Sequence, residues 1–401
     1  MDAGRVSHKV SSLLKEHLER YGLGVQRGPQ RVMRELTTGM VWSGSVQLTN
    51  AVRLFAQTPR QLEKAVWRMS RHLADRQWDH RPLAQAVLAD QANEIEDDTL
   101  IPIDGTELAK PYARRMEYQG TVRDASRPGD PHVPGYWCWG AYRFDASDDV
   151  LTPLWLQPYS TRQPGFRSEN DVFIEACRRL RSATGGRGIW LSDRGGDRPS
   201  ILSAWLRMQP RWIIRLRGDR GLIGPDGTRQ PAQAWAEWAL QHRPERGRAV
   251  TLPVRLPPDE IAQAPQASPL WLVAPTYTFA DGQRWLLLTC GLIDQHVGPR
   301  QVRYDYALRW RAEDAKRFLG QVWHVEKFLT RSFVALERML LCVVLAAGFV
   351  AMLQRDYPTL RQQLESEGLR WNVSYRLPIY RLATGLKLLA VQVGLLAALH
   401  A

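Results

Sequence analysis

Little in this sequence points toward disulfides, structural zinc or a membrane. The 401 residues hold four cysteines, Cys138, Cys177, Cys290 and Cys342. No Cys-x-x-Cys pair or Cys/His cluster occurs, which excludes the common zinc spacings. A chain of this size builds a core without covalent staples, so buried thiols in a reducing compartment are expected. The first residues, Met1-Asp2-Ala3-Gly4-Arg5, lack the apolar core of a signal peptide. One apolar run, Met339 to Met352, falls short of the ~20 residues that span a bilayer and reads as a buried helix. Internal repeats and low-complexity tracts are missing too. Acids are the scarcer charge: 41 Asp and Glu stand against 54 Lys and Arg, for a net charge of +13. Such a surplus favours a polyanionic partner, and DNA or an acidic membrane surface qualifies. The resulting expectation is a cytoplasmic protein with no membrane partner and no small-molecule cofactor.

What is present falls into three stretches. Residues 1–98 read as helical, with a helical pattern from Val10 to Tyr21. From Pro59 to Leu73, Leu62, Val66, Met69 and Leu73 recur at helical spacing. Arg60, Lys64, Arg68, Arg71 and Arg76 are interleaved with them, as in a helix that docks on a DNA backbone or simply presents a solvated face. An acidic run from Glu94 to Asp98 closes this stretch.

From Thr99 the pattern becomes α/β. Leu100 to Ile103 is a short strand with Asp104-Gly105-Thr106 at its exit. Tyr136 to Phe144 and Val150 to Leu156 form a hairpin across Asp145 to Asp149. Ser168 opens a helix to Ala183. Gly188 to Ser192 is a buried strand delivering Asp193 at its end, Pro199 to Met208 is a helix, and Arg211 to Arg217 is another strand. Residues from about 218 to 283 interrupt the order as an insertion, with a possible strand at Leu270 to Ala274. A further strand spans Trp285 to Ile293, and helices follow from about Arg300.

Phosphodiester chemistry requires a strong nucleophile and positive charge on the leaving oxygen. Two divalent ions roughly 3.5–4 Å apart supply both, and need carboxylates converging from separate elements. Asp104 and Asp193 at strand ends and Glu313 on a later helix are such a set. Each also has a plain reading: Asp104 and Asp193 as turn formers, Glu313 as a surface partner of Arg309. Helical spacing puts Tyr306, Arg309 and Glu313 on one face, which joins a metal ligand to a guanidinium and a phenol suited to phosphate.

Tyr306, Arg309 and Glu313 match the start of the Y-x2-R-x3-E-x6-K signature, and here the chain resembles bacterial insertion-sequence DDE transposases. Ile103-Asp104-Gly105-Thr106, with Lys110-Pro111-Tyr112-Ala113 and Met116-Glu117, is similar to the family's first-aspartate block. Asp193-Arg194-Gly195-Gly196-Asp197, followed by Trp212-Ile213-Ile214-Arg215, is similar to its second. Arg71-His72-Leu73 resembles the usual lead-in, so the likeness covers roughly residues 60 to 340. The signature's lysine falls on Gly320, and Lys316 stands one turn earlier on the same face.

This resemblance implies an RNase H-like core with a β-rich insertion at about 218–283. Asp104 would lie on the first strand, Asp193 after the fourth and Glu313 on the later helix. It implies a helical DNA-binding domain at 1–98, a catalytic domain at 99–325 and a C-terminal helical region at 326–401 with a possible dimerisation role. Asp104, Asp193 and Glu313 would be the catalytic and metal-binding residues, holding two Mg2+ ions, with Mn2+ able to substitute. The expected partner is double-stranded DNA, both transposon ends and target, held by a homodimer at the bacterial nucleoid. Trp285, in a Trp-Leu-Leu-Leu-Thr block, would stack on a flipped base, or else belong to the core as one of 16 tryptophans. Tyr306, Arg309, Arg194, Arg215, Arg217, Lys110 and Lys316 complete the expected DNA and phosphate contacts. Arg211, Arg215 and Arg217 share one strand face, for which a salt-bridge network is the alternative. The functional expectation is metal-dependent end cleavage and strand transfer. A nuclease without strand transfer and a decayed DNA-binding derivative are the alternatives.

Overall fold

The computed structural model describes residues 2–399, except 24–27, 125–126, 130, 146–149, 210, 243–248, 262–263, 265–268, 279–281, 295–296 and 372–377. The chain gathers into two compact units, each discontinuous in sequence. One comprises Met1–Gln91, Gly105–Phe166 and Asp314–Ala401; the other comprises Ala92–Asp104 and Arg167–Glu313. These units do not follow the three consecutive stretches expected from the sequence, because helices far apart in the chain share one core.

In the first unit, α1 (Ala3–Glu19), α2 (Gly28–Ser43), α3 (Leu48–Arg53) and α4 (Pro59–Leu73) precede α5 (Arg81–Ala92). Asp2 caps α1, and Thr58 forms a capping box with Gln61 at the start of α4, satisfying amides that a helix start leaves without partners. The C-terminal helices of this unit are α11 (Phe333–Asp356), α12 (Pro358–Trp371) and α13 (Pro378–Leu399). The apolar run of the sequence lies in α11, which is long and apolar enough to cross a membrane, yet 89% of its apolar window is buried within the protein. Its cover includes α1, α2 and α4, whose Leu14, Leu36 and Met69 join the same cluster. Arg338 of α11 is fully buried and donates to the carbonyls of His72 at 3.1 Å, Leu73 at 2.8 Å and Trp78. It thereby closes the C-terminal end of α4, where a helix presents unsatisfied carbonyls and negative partial charge. The Arg71-His72-Leu73 lead-in thus has a structural use. In the same unit, α12 and α13 approach closely at glycine: a Cβ on Gly385 would stand 2.0 Å from the Leu364 carbonyl oxygen.

The sheet of this unit consists of β2 (Gly120–Arg123), β3 (His132–Asp145) and β4 (Val150–Tyr159). The expected hairpin is β3 and β4, antiparallel from Trp137↔Tyr159 to Asp145↔Val150 with a bulge at Ala141/Tyr142; its turn, 146–149, lies outside the described residues. In the second unit, β5 (Ile189–Ser192) runs parallel to the start of β1 (Leu100–Ala109) and to β6 (Trp212–Arg215). Helices α6 (Glu169–Thr184) and α7 (Pro199–Met208) make the crossovers. The path β4-β3-β1-β5-β6, with β1, β5 and β6 parallel and β3 and β4 antiparallel, is the RNase H-like core the sequence led us to expect.

Three details differ from expectation. Strand β1 does not stop at Asp104 but continues through it to Ala109. Gly105 forms no turn there; a Cβ on it would stand 3.2 Å from the Trp139 ring, tighter than an ordinary contact. The insertion contains a helix, α8 (Ala232–His242), and a small hairpin of β7 (Gly221–Ile223) and β8 (Arg229–Pro231). Its strands β9 (Ala249–Val254) and β10 (Leu270–Pro275) extend the main sheet through β11 (Leu287–Cys290), which pairs antiparallel with β6. Finally, the helical region after Arg300 is interrupted: α9 (Pro299–Leu308) ends before α10 (Arg311–Gln321) begins.

Candidate active site

Asp104 is the fifth residue of β1, on the parallel side of the sheet next to β5. It is 8% exposed. Asp193 follows β5 directly and caps a 3₁₀ turn over Arg194–Gly196, its Oδ1 accepting from the Gly195 amide at 2.7 Å. That turn is tight enough to require glycine, since a Cβ on Gly196 would lie 2.5 Å from the Ser192 hydroxyl oxygen.

The third acid comes from the interrupted helix. Between α9 and α10 the amides of Arg309, Trp310, Ala312 and Glu313 each donate to the carbonyl three residues earlier, at 2.9–3.2 Å. Three residues per turn eclipse side chains at i and i+3, so Arg309 stays above Tyr306 although the α-helix is broken. The one-sided grouping of Tyr306, Arg309 and Glu313 therefore survives by a route the sequence did not indicate. Arg309 turns inward, 7% exposed, and its Nη1 donates to Asp104 Oδ2 at 3.0 Å.

Electrostatics binds the group together. Burial alone would lower the pKa of Arg309, but Tyr306, Asp104, Asp193 and Glu313 raise it by more, and the net shift is upward. All three acids therefore act on one guanidinium. Burial pushes the Tyr306 hydroxyl up to about 12, moderated by Arg309 and reinforced by Asp193. Tyr306 thus keeps its proton and is a hydrogen-bond donor near neutral pH. Its ring meets Trp285 edge-on at 6.4 Å, and Arg215 lies 4.4 Å over the Trp285 ring. Trp285 is half-buried.

The remaining expected contacts have varied surroundings. Arg194 is exposed beside Asp193. Arg217 is exposed and pairs with Asp197 at 3.6 Å, and Arg211, on the same strand face, pairs with Asp97 at 2.8 Å. Lys316 donates to the Gly105 carbonyl at 3.0 Å, immediately after the first acid in the chain. Lys110 is placed quite differently from a phosphate contact. It is 4% exposed, lies 3.4 Å over the Phe328 ring and donates to the carbonyls of Glu326 and Phe328. Burial lowers its pKa to about 7. At the signature position, Gly320 faces open space.

One functional neighbour had escaped the sequence. Asp197 has a fully buried side chain that accepts from Arg220 Nε at 2.6 Å and the Arg217 amide at 2.8 Å. Arg220 also reaches Glu260. This network fixes the loop after Asp193 to the beginning of the insertion. Its only sequence trace was a second acid in Asp193–Asp197 and a cation-rich run from Arg215 to Arg220.

The donor set suits a hard divalent ion, since it consists of carboxylates from three elements without sulfur or imidazole. Among the described residues, no three His, Cys, Asp or Glu side chains stand close enough to hold an ion as arranged. In this arrangement the positive charge facing the acids is Arg309.

The comparisons with known proteins follow from this geometry. The transposase DDE domain family matches residues 146–349, about half of the chain; this range includes Asp193, Trp285, Tyr306, Arg309 and Glu313 and begins after Asp104. No curated protein matches. Among solved structures, the chain is similar to a piggyBac transposase synaptic complex with hairpin DNA, at 12% identity and a TM-score of 0.47, covering 96% of this chain and 79% of that one. The chain belongs to the DDE-domain transposases.

Proposed function

We propose that the protein binds the terminal inverted repeats of an insertion sequence, cleaves the DNA at their ends and joins the freed ends to target DNA. The observation that carries this reading is the bond of buried Arg309 to Asp104, with Tyr306 beside it and Asp193 and Glu313 near enough to act electrostatically on the same guanidinium. Asp104 and Asp193 would hold one Mg2+ ion between them and Glu313 a second, with Mn2+ as a substitute. When bound, these ions supply positive charge to the attacking and leaving oxygens.

The chain's own side chains do the rest. Arg309 presents planar donors that match phosphate oxygens. Tyr306, protonated, donates to a phosphate oxygen without adding negative charge. In the first step a water oxygen bonds to the end phosphorus while the bond to the 3′ oxygen breaks, and that oxygen leaves as a hydroxyl. In the second step the 3′-hydroxyl attacks a target phosphodiester, loses its proton and displaces the target's own 3′ oxygen. One phosphodiester forms as one breaks, so no external energy source is needed. Trp285 offers a π-face for a displaced base, and Arg194, Arg215 and Arg217 border the path of the backbone. A homodimer, joined through the helices of 326–401, would hold two ends at the nucleoid.

The test uses purified protein, duplexes carrying the DNA that flanks the coding region, a supercoiled target plasmid and Mg2+. Nicked ends and end–plasmid joints are expected. The Asp193→Asn variant should lose both products, by at least ~100-fold, and still bind the ends. Retained cleavage in that variant overturns the assignment of the acids. Cleavage without joints makes the protein a nuclease, and binding without cleavage makes it a decayed derivative.

A further inference from the structure

Cations in the first unit fall into two groups. Several meet an acid: Arg31 and Arg68 bond to Glu35, Arg76 to Glu117, and Arg20 lies 4.0 Å from Asp90. On α4 the pattern changes. At about 100° per residue, Arg60, Lys64, Trp67 and Arg71 fall within a sector of about 60°. All four are exposed, with Trp67 at 64%. No acid pairs with Arg60, Lys64 or Arg71 among the described residues; Arg71 instead lies 5.2 Å over the Trp67 ring. Glu63 and Arg68, the paired cation, each lie about 40° outside the sector, on opposite sides of it.

The opposite side of α4 is committed inward. Met69 and Leu73 are buried, and Leu62, Ala65 and Val66 pack against the same core. The helix is held at both ends, by the Thr58 capping box and by Arg338. A rigid helix therefore presents three cations and one aromatic ring outward. It has no apolar stripe left to sink into lipid, which is what membrane-surface helices require. With side chains a helix is about 10–12 Å across and the DNA major groove about 12 Å wide.

We infer that the outer face of α4, with Arg60, Lys64, Trp67 and Arg71, docks in the major groove of duplex DNA. The three cations face the phosphates that border the groove. Trp67 lies toward base edges and sugars. The partner is the one in the proposed reaction, but the residues are separate from the acids.

The probe is a fluorescein-labelled 30-bp duplex of arbitrary sequence, followed by anisotropy from about 50 to 200 mM salt. Against wild type, the Arg60→Gln/Lys64→Gln/Arg71→Gln variant should bind at least about tenfold more weakly and flatten the log K against log salt slope by about 3. A control of equal charge change on α1, Arg5→Gln/Lys9→Gln/Lys15→Gln, should leave the slope within about 1 of wild type. The exposed positions leave the fold intact, which an unchanged thermal transition verifies; should that transition shift, the single variant Trp67→Ala, expected to weaken binding without altering the slope, is read instead. A duplex whose major groove is filled by glucosylated hydroxymethylcytosine should bind wild type as weakly as the α4 variant binds the plain duplex. Equal losses in the two triple variants, unhindered binding of the glucosylated duplex, or binding to phosphatidylserine vesicles in place of the duplex would each overturn the inference. The Asp193→Asn protein should keep the full slope, so failure of the reaction and failure of the docking face are read separately.

Discussion

Arg309 has two uses that a single substitution disturbs together. It is the partner of a buried carboxylate, Asp104, at 3.0 Å, and it is the group on which all three acids act. Removing one member of a buried ion pair costs about 3–5 kcal/mol, because the other is left charged and unpaired. Replacing both with neutral groups is far less costly. Arg309→Ala should therefore lose both thermal stability and end cleavage. The double variant Asp104→Asn/Arg309→Gln should regain most of the stability and none of the cleavage. Differential scanning calorimetry beside an end-cleavage assay separates the effects; a double variant as unstable as Arg309→Ala would deny that the pairing is energetically important.

Asp305, one position before Tyr306, gives a pH signature at the same scale. Burial raises its pKa from 3.8 to about 6, partly opposed by the hydrogen bond from Gln301 at 2.7 Å. Its sign is opposite to that of a salt-bridged carboxylate. Between about pH 4 and 6 the folded state binds more protons than the unfolded chain, so stability falls as pH rises through this window and stays lower above it. At about 1.4 kcal/mol per pH unit the ceiling is about 3 kcal/mol. Asp305→Asn should raise the melting temperature at pH 7.5 and leave it nearly unchanged at pH 4. An equal rise at both pH values would remove the titration from the explanation.

At the scale of elements, the sequence was most informative where local rules suffice. Ser168 marks a helix start, and alternation marks β3 and β4. The apolar run from Met339 to Met352 was read as a buried helix, and it lies in α11, whose apolar window is 89% buried. It was least informative where a distant partner decides. Strand β1 was read as ending at Asp104-Gly105 because Asp-Gly is a turn signal; Trp139, thirty-odd residues away, accounts for that glycine instead. The α9–α10 interruption has no proline or glycine to announce it. It is recognisable only from the i→i−3 amide bonds and from Arg309 reaching Asp104, 205 residues away in sequence. The placement of Arg309 beside Tyr306 was legible in their spacing. Lys110 was misread because a lysine next to a catalytic block suggests phosphate, whereas two backbone carbonyls and the Phe328 ring claim it here. Asp197 was passed over because its partners, Arg220 and Glu260, lie in an insertion whose strands join the sheet only through non-local pairing.

At the scale of the molecule, the N-terminal helices depend on a helix that the chain makes much later. His17 of α1 contacts the Leu345 carbonyl at 3.2 Å, Cys342 packs against Met33 of α2, and Arg338 closes α4. Val10, Leu13, Leu14, Leu18, Leu36 and Met40 are all at most 4% exposed within this cluster. Burying one such side chain contributes about 1.5–3 kcal/mol, and a domain is stable by only about 5–15 kcal/mol in total. Exposing several of them by removing α11 therefore exceeds what the remaining helix contacts can offset. A fragment of residues 1–98, although it holds five helices and the α4 docking face, should not fold by itself. Its far-ultraviolet circular dichroism should show reduced helicity and a broad thermal transition, and it should bind the dye that reports exposed apolar surface. The full chain should unfold cooperatively and exclude that dye. A sharp melt of the isolated fragment, with helix content matching α1 to α5, would show that the N-terminal helices form a self-sufficient domain. It would also reverse the argument that α11 is their shared core.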